Sequence, residues 1–445
     1  MATPSKIVLS PDQKAAYRVE QISPDSAEIA SKLLQENHEK YHIFFNQAGF
    51  HNHIAHHLLT IFALGASPEV IQRQYDGNKS YQRDQQGADN SVVEDLADPA
   101  KFVQYLGPEK YYQDFLLFFR KHMEENGWEN TLNEYLFKGD QKSEEMIARL
   151  FGGFLHPIIH LGFGVEFQQP AIMCEALAQT AVHGNWMGPF LFGAEKAAKA
   201  GRGNVDKPLM EILEEVRTDQ NIKTAASWSQ GNKMREGTFT YALDEIINHT
   251  AQFVATEDTL EEKMAEMIQV NTYFTAAAQR PPHRVKFDFL SMHAVNMTVF
   301  FAALLSPRSP VPGRGRARLL EMAARASLAL YASRACPALL PAEVASYAPA
   351  RAGDGWAALG ARARGLADDG HAAKMLRALR HAETCCRKWE GGAKGAAWPI
   401  RGDMWLKVAH MGMDSVEAGG PHWVRNAGFQ EAWDGVPLRD AEAQL

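Results

Sequence analysis

The sequence predicts an all-α protein, a large single-chain helical fold with a site buried between its helices. Three observations lead there. Helix-start signals recur along the chain, as in Ser23-Pro24-Asp25, Ser67-Pro68-Glu69 and Asp98-Pro99. Each pairs a capping side chain with a proline at the position where a helix has no N–H to lose. Apolar residues return every three or four positions, as in Tyr111, Phe115, Leu116 and Phe119, and strand-type alternation persists nowhere. The stretch Phe50-His51-Asn52-His53-Ile54-Ala55-His56-His57-Leu58-Leu59 puts four of the chain's 17 histidines within seven residues of an otherwise apolar helix. Buried imidazoles need partners for both ring nitrogens, so this stretch points to a metal centre or to a polar network.

Taken in order, residues 1–22 read as an irregular N-terminal arm and residues 23–445 as one helical domain. The helix opened at Ser23 carries Ile29, Leu33 and Leu34 on one face. The histidine helix stops at Gly65, a C-terminal cap, and Ser67 starts the next helix at once. A short helix runs from Asp98 to Gly107, and an amphipathic one spans 110–125. Ser143-Glu144-Glu145-Met146 opens a run into Leu155-His156-Pro157-Ile158-Ile159-His160. There Pro157 should kink the helix and free backbone groups near His156. Residues 183–204, with His183-Gly184-Asn185-Trp186, read as a glycine-rich loop. Helices recur at about 206–217, 240–255 and 257–278, and Pro281-Pro282 breaks the run. Residues 287–305, with His293 near their middle, read as a helix buried on all sides. The Pro/Gly/Arg stretch 306–316 reads as an exposed, mobile connector. Alanine-rich residues 317–382 favour helix. Trp398, Trp405, Trp423 and Trp433 read as packing anchors.

The bulk numbers exclude some partners. A hydrophobic content of 46% and a charged content of 22% are those of an ordinary globular protein. A net charge of −7 disfavours nucleic acid and a polybasic membrane patch. The four cysteines form no CxxC and no zinc spacing, which fits a reducing compartment. The N-terminus has no apolar h-region, and no run of about 18 apolar residues occurs. The expectation is a cytoplasmic protein.

Several enzyme types lack their signatures. Gly201-Arg202-Gly203 and Gly313-Arg314-Gly315 neither complete GxGxxG nor follow a strand. A phosphate loop and a GxSxG elbow are missing. His156-Pro157-Ile158-Ile159-His160 has zincin spacing without the glutamate, and no pair of ExxH elements exists for a di-iron bundle. What remains is a set of histidines on several apolar helices, which suit iron, copper, nickel or zinc. His371 and Lys374 lie three apart on one helix face. A lysine ammonium cannot bind a cation, but a buried neutral amine that adds carbon dioxide becomes a carbamate with oxygen donors.

Six segments together resemble the questin oxidase-like family: Asn52-His53, Leu64-Gly65-Ala66-Ser67-Pro68, His156-Pro157-Ile158-Ile159-His160-Leu161-Gly162, Met292-His293-Ala294-Val295, Asp369-Gly370-His371-Ala372-Ala373-Lys374 and Gly402-Asp403-Met404-Trp405-Leu406-Lys407. The resemblance runs from about residue 30 to about residue 435 and is weakest over 306–365. Members act in fungal polyketide secondary metabolism, where they open the central ring of anthraquinones, and have been described as Baeyer–Villiger oxidases. A ring-cleaving member uses non-haem iron held by four histidines and a carboxylated lysine. The resemblance therefore implies His53, His156, His293, His371 and Lys374 as ligands of Fe(II). Dioxygen is the co-substrate, and NADPH, through a separate reductase, reduces the anthraquinone to its hydroquinone.

Beside that set, His57 and His160 are the second choice as ligands and are otherwise expected to handle protons or orient ligands. Glu166 could partner one of them or be a plain helix carboxylate. Asn52 reads as a helix cap. Asn185 and Trp186 could line the substrate pocket or simply belong to a loop. Two other functions stay open on the sequence: an NADPH-dependent Baeyer–Villiger-type oxidase without metal, and a non-catalytic helical binding protein.

Overall fold

A computed structural model describes residues 1–392 and 395–439. Every regular element among them is helical; extended residues meet only at isolated bridges. No single helix among the described residues is long and apolar enough to cross a membrane. The described residues gather into two compact units. One comprises Met1–Gly188, Phe300–Arg316 and Gly360–Arg377; the other comprises Pro189–Val299, Ala317–Leu359 and the described residues from Ala378 on.

In the first unit, α1 (Pro24–Lys40), α2 (Ile54–Ala63) and α3 (Pro68–Lys79) pack on one another. The Ser23 side chain accepts from the Ser26 N–H, as its cap position requires. All ten residues of α2 are buried. Its Ile54, Leu58, Leu59, Ile61 and Phe62 contribute about 1.5–3 kcal/mol each, which holds the intervening histidines indoors. The second half of this unit has α4 (Tyr112–Asn126), α5 (Gln141–Arg149), α6 (His156–Glu166) and α7 (Pro170–Ala181). The wholly buried α7 packs against both α4 and α6. Gly162 lets Phe300 lie against α6: a Cβ there would come within 2.3 Å of the Phe300 ring.

The second unit packs α8 (Leu260–Ala277) on α9 (Phe289–Thr298). It also holds most of α10 (Gly313–Ala332), the later turns of α11 (His371–Cys386), and α12 (Met404–Glu417). Trp398, Trp405 and Trp433 are buried, as anchors should be, while Trp423 is half-buried.

Five expectations about local structure need correction. The histidine helix starts at Ile54, not near Phe50: His53, not Asn52, is its cap residue, without a side-chain cap bond, and Asn52 Oδ1 accepts from the Ile54 N–H at 2.9 Å. Helix α5 starts at Gln141 rather than Ser143, because Asp140 is the cap and accepts from the Ser143 N–H. The chain breaks before Pro157 and not at it. Residues 183–204 are not all loop, since Gly188–Ala197 is a helix with Pro189 in its first turn. The 306–316 connector becomes helix at Gly313, and Val311 within it is buried. The arm 1–22 is irregular as expected, yet tied down. Ile7 and Leu9 are buried, Val8 N–H donates to Gln169 Oε1 at 3.0 Å, and Ala16 N–H donates to Glu166 Oε1 at 2.6 Å.

Candidate metal centre

Within the first unit, three histidines far apart in sequence stand at three helix starts. His53 is the residue before α2, His156 is the first residue of α6, and His371 is the first of α11. Each start is built locally. Asn52 holds the first by accepting from the Ile54 N–H and donating to Asn37 Oδ1 at 2.8 Å. The second follows a break of 66° between α5 and the segment Gly153–Glu166. Phe154 and Leu155 take left-handed φ values of 54° and 72° there, a conformation that costs about 1–3 kcal/mol each and persists only where packing enforces it. The third follows Gly370 at φ +88°, where a Cβ would come within 2.7 Å of the His57 ring.

The rings converge. His53 Nε2 lies 3.0 Å from His156 Nε2, and the His53 and His371 rings meet edge to face with centroids 4.5 Å apart. Each of the three offers a ring nitrogen within 4.8 Å of the other two. The tautomers can be read from the partners. His156 Nδ1 donates to the Gly153 carbonyl at 2.6 Å, so its Nε2 carries the lone pair. His371 Nδ1 pairs with the Asp369 carboxylate, which orients that ring in the same way. Asp369 Oδ2 also lies 3.4 Å from His53 Nδ1, without hydrogen-bond geometry.

Charge is unwelcome on His53 and on His56 behind it. Burial pushes His53 and His56 well below the usual 6.5, against the pull of Asp369 on His53. A helix start adds to this, because its macrodipole opposes a positive side chain. Neutral imidazoles are the ligand form. Lys374, one turn along α11, is buried, and burial lowers its ammonium to about 8 against Asp369 and Asp368. Burial, then Asp369, raises Asp368 to about 6.

A second polar group lies behind the first. His56 Nε2 is 3.0 Å from His160 Nδ1, and His160 Nε2 is 2.7 Å from Glu175 Oε2. Glu175 Oε1 is 2.6 Å from His38 Nδ1, and Lys374 Nζ is 3.5 Å from His56 Nδ1. Burial opposes ionisation of Glu175, but hydrogen bonds from His160 and His38 outweigh it and bring its carboxyl down to about 2.

The sequence candidates fall as follows. His53, His156, His371 and Lys374 come together in the first unit. His293 belongs to the second, buried on α9, with Nδ1 donating to the Phe289 carbonyl at 2.7 Å. His160 joins the second polar group, while His57 packs on Gly370 with Asn78 Nδ2 3.4 Å from its Nδ1. Glu166 partners neither of them; it pairs with Arg377 and accepts from Ala16 N–H. Asn185 Nδ2 donates to Glu145 Oε2 at 2.8 Å, and both Asn185 and Trp186 are half-buried. Sequence reasoning passed over His51, His56, Asp369 and Glu175. His51 stacks on His156 with centroids 3.9 Å apart and meets His183 Nε2 at 3.0 Å. Glu175 left a signal: it is the one charge in the apolar run Pro170–Ala181.

Comparison with known proteins gives the family. The Questin oxidase-like family profile matches residues 50–379. The chain is 40% identical over 430 residues to the oxidoreductase AflY of Aspergillus parasiticus, covering 95% of this chain and 86% of that protein. It is 38% identical over 439 residues to the Baeyer-Villiger monooxygenase dmxR6 of a Cryptosporiopsis species, covering 96% and 98%. It is also 38% identical over 447 residues to a questin oxidase of Aspergillus fumigatus, covering 98% and 100%. The match spans the segments that hold His53, His156, His293, His371 and Lys374, and the chain belongs to the questin oxidase-like family.

Proposed function

We propose that this oxidoreductase opens the central ring of an anthraquinone, taken as its hydroquinone, with one non-haem iron ion held by His53, His156, His293 and His371 and by a carboxylated Lys374. The observation that carries the reading is the convergence of buried ring nitrogens within 4.8 Å of one another. The His53 and His156 Nε2 atoms, 3.0 Å apart, are close enough that one ion would take both. The family resemblance adds His293, whose Nδ1 proton goes to the Phe289 carbonyl and leaves Nε2 with the lone pair. The names of the relatives support an oxidase of questin-like substrates.

When bound, the iron supplies a place for dioxygen next to the electron-rich ring. The chain's own residues do the rest. Asp369 and the Gly153 carbonyl orient the His371 and His156 rings. Burial favours neutral His53 and lowers Lys374 enough for its free amine to add carbon dioxide and release a proton. His57 and His160 are the candidates to hold or pass the phenolic proton of the substrate. Asn185 and Trp186 are the candidates to line its pocket.

The composition balances. A hydroquinone plus one dioxygen has the formula of a hydroxylated benzophenone carboxylic acid, with both oxygen atoms retained. Turnover under oxygen-18 gas therefore separates the readings. Two labels in the product, with prereduced substrate sufficing and NADPH dispensable, are expected. One label with obligatory NADPH would assign a metal-free Baeyer–Villiger-type oxidation instead. Element analysis across the iron edge gives the metal directly, and full turnover after exhaustive chelation would end the iron assignment.

A further inference from the structure

The four contacts behind the cluster form a chain with a direction. Glu175 is ionised and only accepts, so His160 Nε2 must carry a proton. With that proton on Nε2, His160 Nδ1 is the atom that can accept from the 3.0 Å partner His56 Nε2. The lone pair of His56 is left on Nδ1, the atom that faces Lys374 Nζ at 3.5 Å. Read from the other end, the result is the same. A lysine ammonium only donates, so His56 Nδ1 must accept, His56 Nε2 must donate, and His160 Nδ1 must accept. The chain runs Lys374 → His56 → His160 → Glu175, and His38 Nδ1, at 2.6 Å, holds the second oxygen of the same carboxylate. All five side chains are buried.

We infer that Glu175 is a positioning residue that acts through His160 and His56 to aim the nitrogen of Lys374. This rests on the reading that Lys374 belongs to the metal centre. The geometry suits a carbamate as well as an amine. Addition of carbon dioxide to the neutral amine forms an N–C bond and releases one proton, leaving a single N–H. With that N–H committed to His56 Nδ1, rotation about the nitrogen is fixed and the two carbamate oxygens are turned away from His56. A glutamine at 175 has the same shape but can present either a donor or an acceptor to His160. It removes the direction of the chain while leaving its packing intact.

Histidine labelled with nitrogen-15 tests the chain in the unaltered protein. His56 and His160 should both show the proton on Nε2; a proton on Nδ1 of either ring overturns the inference. The second test compares Glu175→Gln with Glu175→Asp, each checked for native circular dichroism. Glu175→Gln should mix the His160 tautomers, weaken the carbon-13 carbamate signal obtained with labelled bicarbonate, and lower metal affinity in chelator competition by about tenfold or more. Glu175→Asp should recover most of both. An undiminished carbamate signal and affinity in Glu175→Gln overturn the inference. Absence of any carbamate signal in the unaltered protein would instead strike at the lysine ligand, with the tautomer spectrum still deciding the chain.

Discussion

Two groups of histidines in the first unit are alike in burial and opposite in logic. In the group His56, His160, Glu175 and His38, every contact can join a donor to an acceptor, so the network closes without help. In the group His53, His156 and His371, backbone and carboxylate partners take the Nδ1 protons of His156 and His371. Lone pairs are thereby turned towards one another at close range. The first arrangement is what a folded core builds for itself; the second is the one we propose to hold a cation. The difference teaches that histidine content alone does not set the two apart. The fate of each Nδ1 proton does.

Breaking the second arrangement should have the largest effect. His156→Ala removes a ligand and is expected to lower bound metal and turnover by about two orders of magnitude or more, read by element analysis and by product formation, while the fold survives in circular dichroism. Breaking the first should show in stability instead. Glu175→Ala strips His160 and His38 of a buried acceptor and should cost about 3–5 kcal/mol in denaturant unfolding of the metal-free protein. Equal stability would mean that the buried carboxylate does not hold the network. Gly370→Ala sharpens the contrast, because it presses on His57 at 2.7 Å and strains φ +88° just before His371. A loss of about 1–3 kcal/mol together with weakened metal binding is expected, measured by thermal unfolding with and without metal.

A more gradual effect comes from pH. Burial, with Arg83 adding at His42, lowers His42 and His183 to about 4. Between that value and the ordinary 6.5, the unfolded chain takes up protons that the folded one refuses. Their contribution is therefore full above pH 6.5 and is lost as pH falls towards 4, by up to about 1.4 kcal/mol per pH unit for each ring. Unfolding curves of metal-free protein between pH 7 and 4 should show the decline, and His42→Gln and His183→Gln should each flatten it.

Much of this was legible in the sequence. The all-helical class followed from caps and apolar spacing, and the family from ordered segments around His53, His156, His293 and His371. Less legible were details that depend on which way a ring turns. His56 and His57 are adjacent on one apolar helix, yet one enters the closed network and the other packs on Gly370. Glu166 and Glu175 are both buried carboxylates near the same helices, and only long-range contacts assign Arg377 to one and two histidines to the other. The helix at Gly188–Ala197 was masked by its glycines, although Pro189 marks its start.

The arm that precedes the first helix has a consequence of its own. Its Ala16 N–H shares the Glu166 carboxylate with Arg377, and its Tyr17 carbonyl accepts from Arg377 Nε at 3.0 Å. Arg377 is one turn beyond Lys374 on α11. A proteolytic nick near residue 15, or a bulky fusion that pulls this strap loose, would leave a guanidinium–carboxylate pair half-dressed one helical turn from Lys374. Preparations with frayed amino termini should therefore turn up as poorly metallated fractions rather than as unfolded ones.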